Sequence, residues 1–247
     1  MRNIKLFIEY DGTNYHGWQR QPKLDTVQQL LEKAIQEITK EKATLLGSGR
    51  TDSGVHALQQ IANFKTSSEI NTEKMTKALN SMLPGDIVII KSEEVELNFH
   101  SQYDSQSKTY IYKILNRSSH SAINRKRVWH IPYQLNFEKM QNAAKYLIGE
   151  HDFKVFSKTG SSIKTTVRNI HKASFHKNSD EIIEFNIQAN GFLKGMVRLI
   201  VGTIVNVGKG KLTDTEFKHI ICKGQKHKYI KSAPPHGLYL VKVDYHS

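Results

Sequence analysis

The segment Leu45-Leu46-Gly47-Ser48-Gly49-Arg50-Thr51-Asp52-Ser53-Gly54-Val55-His56 sets three glycines within eight residues around a single carboxylate, that of Asp52. Glycine accepts the tight and left-handed conformations that bring backbone close to a ligand, so the segment reads as a loop presenting one acid. It is not a phosphate cradle. That loop requires the spacing G-x-x-x-x-G-K-[ST], and no lysine occurs here; nor does the segment open a G-x-G-x-x-G helix. An isolated Asp in a loop rich in Gly and Ser is ordinarily a turn or cap residue. Arg50, two residues away, is spaced to favour the ionised carboxylate that a nucleophile requires.

Upstream of this loop, Ile4 to Tyr10 reads as a strand that ends at the turn Asp11-Gly12-Thr13-Asn14-Tyr15-His16-Gly17, followed by Trp18, Gln19, Arg20 and Gln21. In Thr26-Val27-Gln28-Gln29 a threonine precedes glutamine by three, the capping-box pattern. Val27, Leu30, Leu31, Ala34, Ile35 and Ile38 then follow at helical spacing. Downstream, strands are expected at Ile61 to Thr66, Ile87 to Val95, Thr109 to Leu115, Val167 to His176, Glu181 to Ala189 and Leu238 to Tyr245. Helices are expected at Glu73 to Met82, stopped by Pro84-Gly85, at Phe137 to Ile148, opened by Asn136, and at Met196 to Val207. Another starts at the capping box Thr213-x-x-Glu216. Strands mixed with single helices, without strict β-α alternation, give an α+β class with helices on one face of an antiparallel sheet. The polar stretch Ser101 to Lys108 is the natural join between two lobes, 1–104 and 105–247.

The 247 residues carry 36 Lys and Arg against 23 Asp and Glu, a net charge of +13, which nominates a polyanion such as RNA or DNA as partner. A basic but merely solvated surface has the same composition, so charge alone proves neither. One cysteine, Cys222, leaves no internal disulfide and no multi-thiolate zinc site, which suits a reducing compartment, the cytoplasm. The apolar run in Met1 to Ile8 is too short for a signal peptide, and no stretch is long enough to span a bilayer. The twelve histidines form no H-E-x-x-H or similar set, and His171 and His176, five apart on an expected strand, point to opposite faces, so no metal is expected.

Gly49-Arg50-Thr51-Asp52-Ser53-Gly54-Val55-His56-Ala57 resembles the G-R-T-D-x-G-V-H-A signature of the bacterial tRNA pseudouridine synthase A family. Tyr10 to Gln21 resembles that family's N-terminal block, and Leu83-Pro84-Gly85-Asp86-Ile87 fits as well. Lys108-Thr109-Tyr110-Ile111-Tyr112, His151-Asp152-Phe153, Gly191-Phe192 with Met196-Val197-Arg198, and Ala233-Pro234-Pro235-His236-Gly237-Leu238-Tyr239 follow in the family's order. The similarity therefore runs along essentially the whole chain.

The resemblance implies a pseudouridine synthase-like fold, two lobes sharing a mainly antiparallel curved sheet flanked by helices, and a homodimer. It implies an isomerase that needs neither metal nor organic cofactor and converts uridine to pseudouridine at positions 38 to 40 of the tRNA anticodon stem-loop. Asp52 would be the nucleophile. Tyr110 would contact the target base and assist proton removal; without the resemblance it reads as a strand tyrosine alternating with Tyr112. Arg198, inside the apolar run Met196 to Val201, would pair with the catalytic aspartate; by itself it reads equally as a snorkelling helix-flank arginine. Arg50 would hold the target nucleotide out of its stack, a role compatible with pairing to Asp52. Trp18 and Arg20 are candidate RNA contacts, Trp18 being equally a core residue.

One segment departs from the pattern. Phe99-His100-Ser101-Gln102-Tyr103-Asp104-Ser105 stands where the family has F-H-A-R-F-S-A, which removes an arginine and adds an acid. That puts in doubt which RNA is bound and leaves room for a paralogue with another RNA substrate, or for a catalytically silent RNA-binding protein.

Overall fold

The computed structural model describes residues 1–158, 164–178 and 181–246. In chain order the elements are β1 (Arg2–Tyr10), α1 (Val27–Thr39), β2 (Leu46–Gly47), β3 (His56–Thr66), α2 (Thr72–Met82), β4 (Ile87–Val95), β5 (Ser105–Asn116), β6 (Trp129–Ile131) and α3 (Phe137–Lys145). They continue with β7 (Gly149–Asp152), β8 (Val167–Lys177), β9 (Ile182–Ala189), α4 (Met196–Gly208), α5 (Asp214–Lys223) and β10 (Leu238–Tyr245), with short 3-10 turns between some of them. The class is α+β, as the element pattern requires.

Two compact units emerge, Met1–Gln106 together with Tyr239–Ser247, and Ser107–Leu238. The last strand thus lies with the first unit, whereas 105–247 was expected as one lobe. The reason is local: β10 pairs in parallel with β3, Tyr239 opposite His56 and Leu240 opposite Ala57.

In the first unit the strand order is β4-β1-β3-β10, antiparallel for β4-β1-β3, with β2 on β3. Alternation along β1 sends Ile4, Leu6, Ile8 and Tyr10 inward, each no more than 3% exposed. Val27, Leu31, Ala34 and Ile35 of α1 and Met75 and Leu79 of α2 are also buried. β3 begins at His56, five residues before the expected Ile61, because that end pairs with Tyr10 on one side and with β10 on the other. The loop bearing Asp52 consequently runs straight into a central strand.

The capping box expected at Thr26 does not form. The Thr26 hydroxyl and the Gln29 side-chain oxygen are buried without a hydrogen-bond partner among the described residues. Backbone carbonyls serve this helix end instead: the N–H groups of Val27 and Gln28 donate to Gly17 (3.2 Å) and Trp18 (3.1 Å), two of the orphan donors of the first turn. At Thr213 the reciprocal box with Glu216 is complete.

In the second unit β5-β9-β8-β7 run antiparallel, with β6 parallel on β5. Tyr110, Tyr112 and Ile114 of β5, Phe185 and Ile187 of β9 and Ala173 and Phe175 of β8 are buried together with the apolar positions of α3, α4 and α5. The pairing of β8 with β9 slips between Ile170 and Lys172. Such a bulge inverts the alternation, so Ile170 and Ala173 are both buried while His171 and His176 are both exposed. The two histidines therefore do not point to opposite faces.

Candidate active site

The loop 47–56 is held by two segments of the first unit. On one side, Trp18 N–H donates to the Thr51 carbonyl (3.1 Å), Gly54 N–H and the Ser53 hydroxyl donate to the Tyr15 carbonyl, and the Tyr10 and Thr51 hydroxyls bond at 2.8 Å. Burial pushes the Tyr10 phenol well above its ordinary pKa, so it stays a neutral hydrogen-bonding group. On the other side, Ser48 N–H donates to the Ile61 carbonyl (2.7 Å) and the Gln60 amide donates to the Gly49 carbonyl (3.0 Å). Asp52, half-buried, sits on the crest between these anchors, and its carbonyl accepts from Val55 N–H at 3.2 Å.

Two glycines make this docking possible. A Cβ on Gly12 would stand 2.0 Å from the Val55 carbonyl oxygen, and one on Gly17 (φ +89°) 2.5 Å from that of Thr51. Neither approach is open to any other residue. The Gly12 N–H also donates to Nδ1 of His56 (3.1 Å). The same nitrogen lies 3.1 Å from the Asp11 carboxylate, an ion pair when the imidazole is protonated. The turn after Pro84 buttresses the same block: Asp11 N–H donates to the Asp86 carbonyl (2.9 Å), and the Tyr15 hydroxyl donates to the Asp86 carboxylate.

Trp18, offered as an RNA contact, is 2% exposed. Its indole fills the space a side chain at Gly47 would need, 2.5 Å from that Cβ position, so its ring has no face free for a base. It stiffens the Asp52 loop instead. Arg20 is exposed and meets Glu32 of α1 at 3.3 Å. Arg50 is exposed and holds no hydrogen bond or ion pair with a described residue, so the alternative of pairing with Asp52 is not realised.

In the second unit Tyr110 is 7% exposed, and its ring meets that of Phe192 edge-on at 5.0 Å. Arg198 is half-buried in the first turn of α4, where a cation opposes the helix dipole and gains nothing for the helix itself. Its Nε donates to the Ala233 carbonyl (2.8 Å), and the Tyr112 hydroxyl donates to the next carbonyl, Pro234 (2.8 Å). This clasp ties the helix bearing Arg198 to the strand bearing Tyr110. It depends on two close approaches: a Cβ at Gly202 would lie 2.0 Å from the Lys231 oxygen, and one at Gly237 2.8 Å from the Tyr112 ring. The sequence showed Ala233 to Gly237 as a motif without showing this use.

The departing segment Phe99 to Ser105 forms a surface turn. The Asp104 carboxylate accepts from His100 N–H (2.8 Å), Gln102 is exposed, and Ser101 N–H donates to the Asn63 side chain (2.9 Å). No helix of the described residues is long and apolar enough to cross a membrane.

The family described as tRNA pseudouridine synthase matches residues 6–104 and 143–246. A protein named tRNA pseudouridine synthase A from Thermoanaerobacter sp. (strain X514) is 49% identical, the alignment covering 99% of this chain and 100% of the relative. Its namesakes from Acetivibrio thermocellus, at 50%, and Clostridium botulinum (strain Eklund 17B), at 51%, align over the same shares. With every anchor of the Asp52 loop lying in or beside the matched region, the chain belongs to the tRNA pseudouridine synthase family.

Proposed function

We propose that the protein isomerises uridine to pseudouridine at positions 38 to 40 of the tRNA anticodon stem-loop, with Asp52 as nucleophile. The observation that carries the reading is the Asp52 loop: a half-buried carboxylate on a crest fixed by hydrogen bonds from both flanks, within a chain about half identical to tRNA pseudouridine synthases along its whole length. A nucleophile needs such restraint, because a small displacement of the attacking oxygen lowers the rate steeply.

In the reaction the bond between uracil N1 and the ribose anomeric carbon breaks, the base turns, and carbon 5 bonds to the sugar. The proton lost from carbon 5 is matched by one gained at N1, so the overall change is an isomerisation without redox chemistry. Asp52 attacks and is released. Tyr110 lies against the base and assists transfer of the carbon 5 proton. Arg198 supplies positive charge for the carboxylate, and the exposed Arg50, with no partner among the described residues, enters the RNA to hold the target nucleotide out of its stack. Arg20 and surface lysines contact phosphates. The protein works as a cytoplasmic homodimer; light scattering that gives a monomer at micromolar concentration would refute the dimer.

Wild type and Asp52→Asn are incubated with unmodified tRNA, and pseudouridine is mapped site by site. Product at 38 to 40 from wild type alone is expected. Product from Asp52→Asn removes the nucleophile assignment. Product at other positions or on another RNA attributes the Gln102 and Asp104 departure to altered specificity, and binding without product points to a silent RNA-binding protein.

A further inference from the structure

The second unit contains a cation, Lys108, with no counter-charge among the described residues. Lys108 lies two residues before Tyr110 on β5, so the two side chains leave the same face of the strand. Opposite Lys108 is Ala189 of β9, and opposite Ala189 is Ile170 of β8. Arg168, two residues before Ile170 and ahead of the bulge, shares that face, its Nε 3.5 Å from where a Cβ at Gly191 would stand. Gly191 precedes Phe192, whose ring touches Tyr110.

Lys108 is half-buried and makes no hydrogen bond or ion pair with any described residue. Arg168 donates through Nη1 to the carbonyls of Thr165 (2.9 Å) and Val167 (2.5 Å). Its Nε and Nη2, the edge that forms bidentate pairs, have no partner among the described residues. Burial first, and the Arg168 charge second, hold the Lys108 ammonium down to about 8. Two cations drawn together out of water without an acid are unfavourable in the free protein. An anionic ligand reverses the sign.

We infer that Lys108 and Arg168 form a phosphate subsite that clamps one backbone phosphodiester of the RNA beside the nucleotide lying against Tyr110. The inference rests on the pseudouridine synthase reading. A phosphodiester fits better than a uracil carbonyl, because two cations call for a full negative charge. The ammonium offers a point charge with three donors, and the guanidinium edge matches two non-bridging oxygens. The absence of a side chain at Gly191 leaves room beside that edge.

The test uses full-length wild type, Lys108→Gln, Lys108→Arg and Arg168→Gln with an unmodified tRNA transcript, measuring Kd across a KCl series and, separately, KM and kcat. In Lys108→Gln, binding near 0.1 M salt weakens by about 3- to 10-fold and the slope of log K against log salt becomes shallower by about one. KM rises more than kcat falls, and Lys108→Arg restores the slope. A purely structural lysine would change thermal stability and leave the salt slope alone. An unchanged slope in Lys108→Gln, or an arginine variant no better than glutamine, overturns the subsite; should Lys108→Gln not fold, the slope in Arg168→Gln decides in the same way. If wild type makes no pseudouridine on tRNA while both glutamine variants still lose one unit of slope, the functional reading falls and the phosphate subsite stands.

Discussion

The loop around Asp52 and the corner around Lys108 are opposites in how the fold satisfies them. In the loop, glycines at 12 and 17 let two backbones meet, and Tyr15, Trp18, Tyr10 and Gln60 are committed to its peptide and hydroxyl groups. At the corner, a half-buried ammonium and a guanidinium share one sheet face, with no acid paired to either among the described residues. The first region is preorganised by the protein alone. The second is completed only by something negative from outside. A group whose motion would slow the chemistry is bonded internally, whereas a group meant to attract a substrate is left unsatisfied.

The contrast can be broken from either side. Asp52→Asn tests the loop most severely: with Asp52 as the proposed nucleophile, turnover should fall by about 10⁴-fold or more, with little change in tRNA affinity or melting temperature. Trp18→Ala should cost about 3–5 kcal/mol of stability through the cavity it opens behind Gly47, read as a fall in Tm. Weaker RNA binding with an unchanged Tm would instead return Trp18 to the RNA interface. Gly12→Ala forces the Val55 carbonyl away, three residues from Asp52. It should cost about 1–3 kcal/mol or more by overpacking and lower kcat with it; unimpaired activity would mean that the loop tolerates displacement.

At the corner the sign is the reverse. The folded-state pKa of Lys108, about 8, lies below the ordinary 10.5, so between these values the unfolded chain binds more protons and stability rises with pH through this group. Lys108→Met should therefore raise Tm at pH 7, at about 2–4 °C for each kcal/mol recovered, and the advantage should fade as pH rises from about 8 towards 10.5. A Tm that falls at pH 7 would show that the lysine is compensated after all. The smallest effect on stability is expected for Arg50→Gln. As an exposed side chain with no described partner it should leave Tm within about 0.5 kcal/mol in equivalent stability, while kcat/KM for tRNA drops.

Local patterning made much of this legible. The α+β class followed from strand alternation and helical spacing, and the Gly-rich loop followed from glycines that only a close backbone approach explains. Thr213 capped its helix as read, its hydroxyl and the Glu216 carboxylate serving each other's backbone donors. Thr26 did not, at a helix end where the carbonyls of Gly17 and Trp18 accept from the first-turn donors Val27 and Gln28. His171 and His176 were misplaced by a bulge, which one extra residue creates and no periodicity announces.

By itself the sequence determined the element types, the position of the single loop carboxylate and the membership that whole-chain similarity carries, since all are properties of residues near one another along the chain. Tertiary structure alone decided that Trp18 is core, that Ala233 and Pro234 clasp Arg198 and Tyr112, that β10 joins the first unit and that Lys108 has no counter-charge among the described residues. Each of these depends on which group from a distant part of the chain arrives first at a donor, a cavity or a charge, and that competition is settled only when the chain is packed.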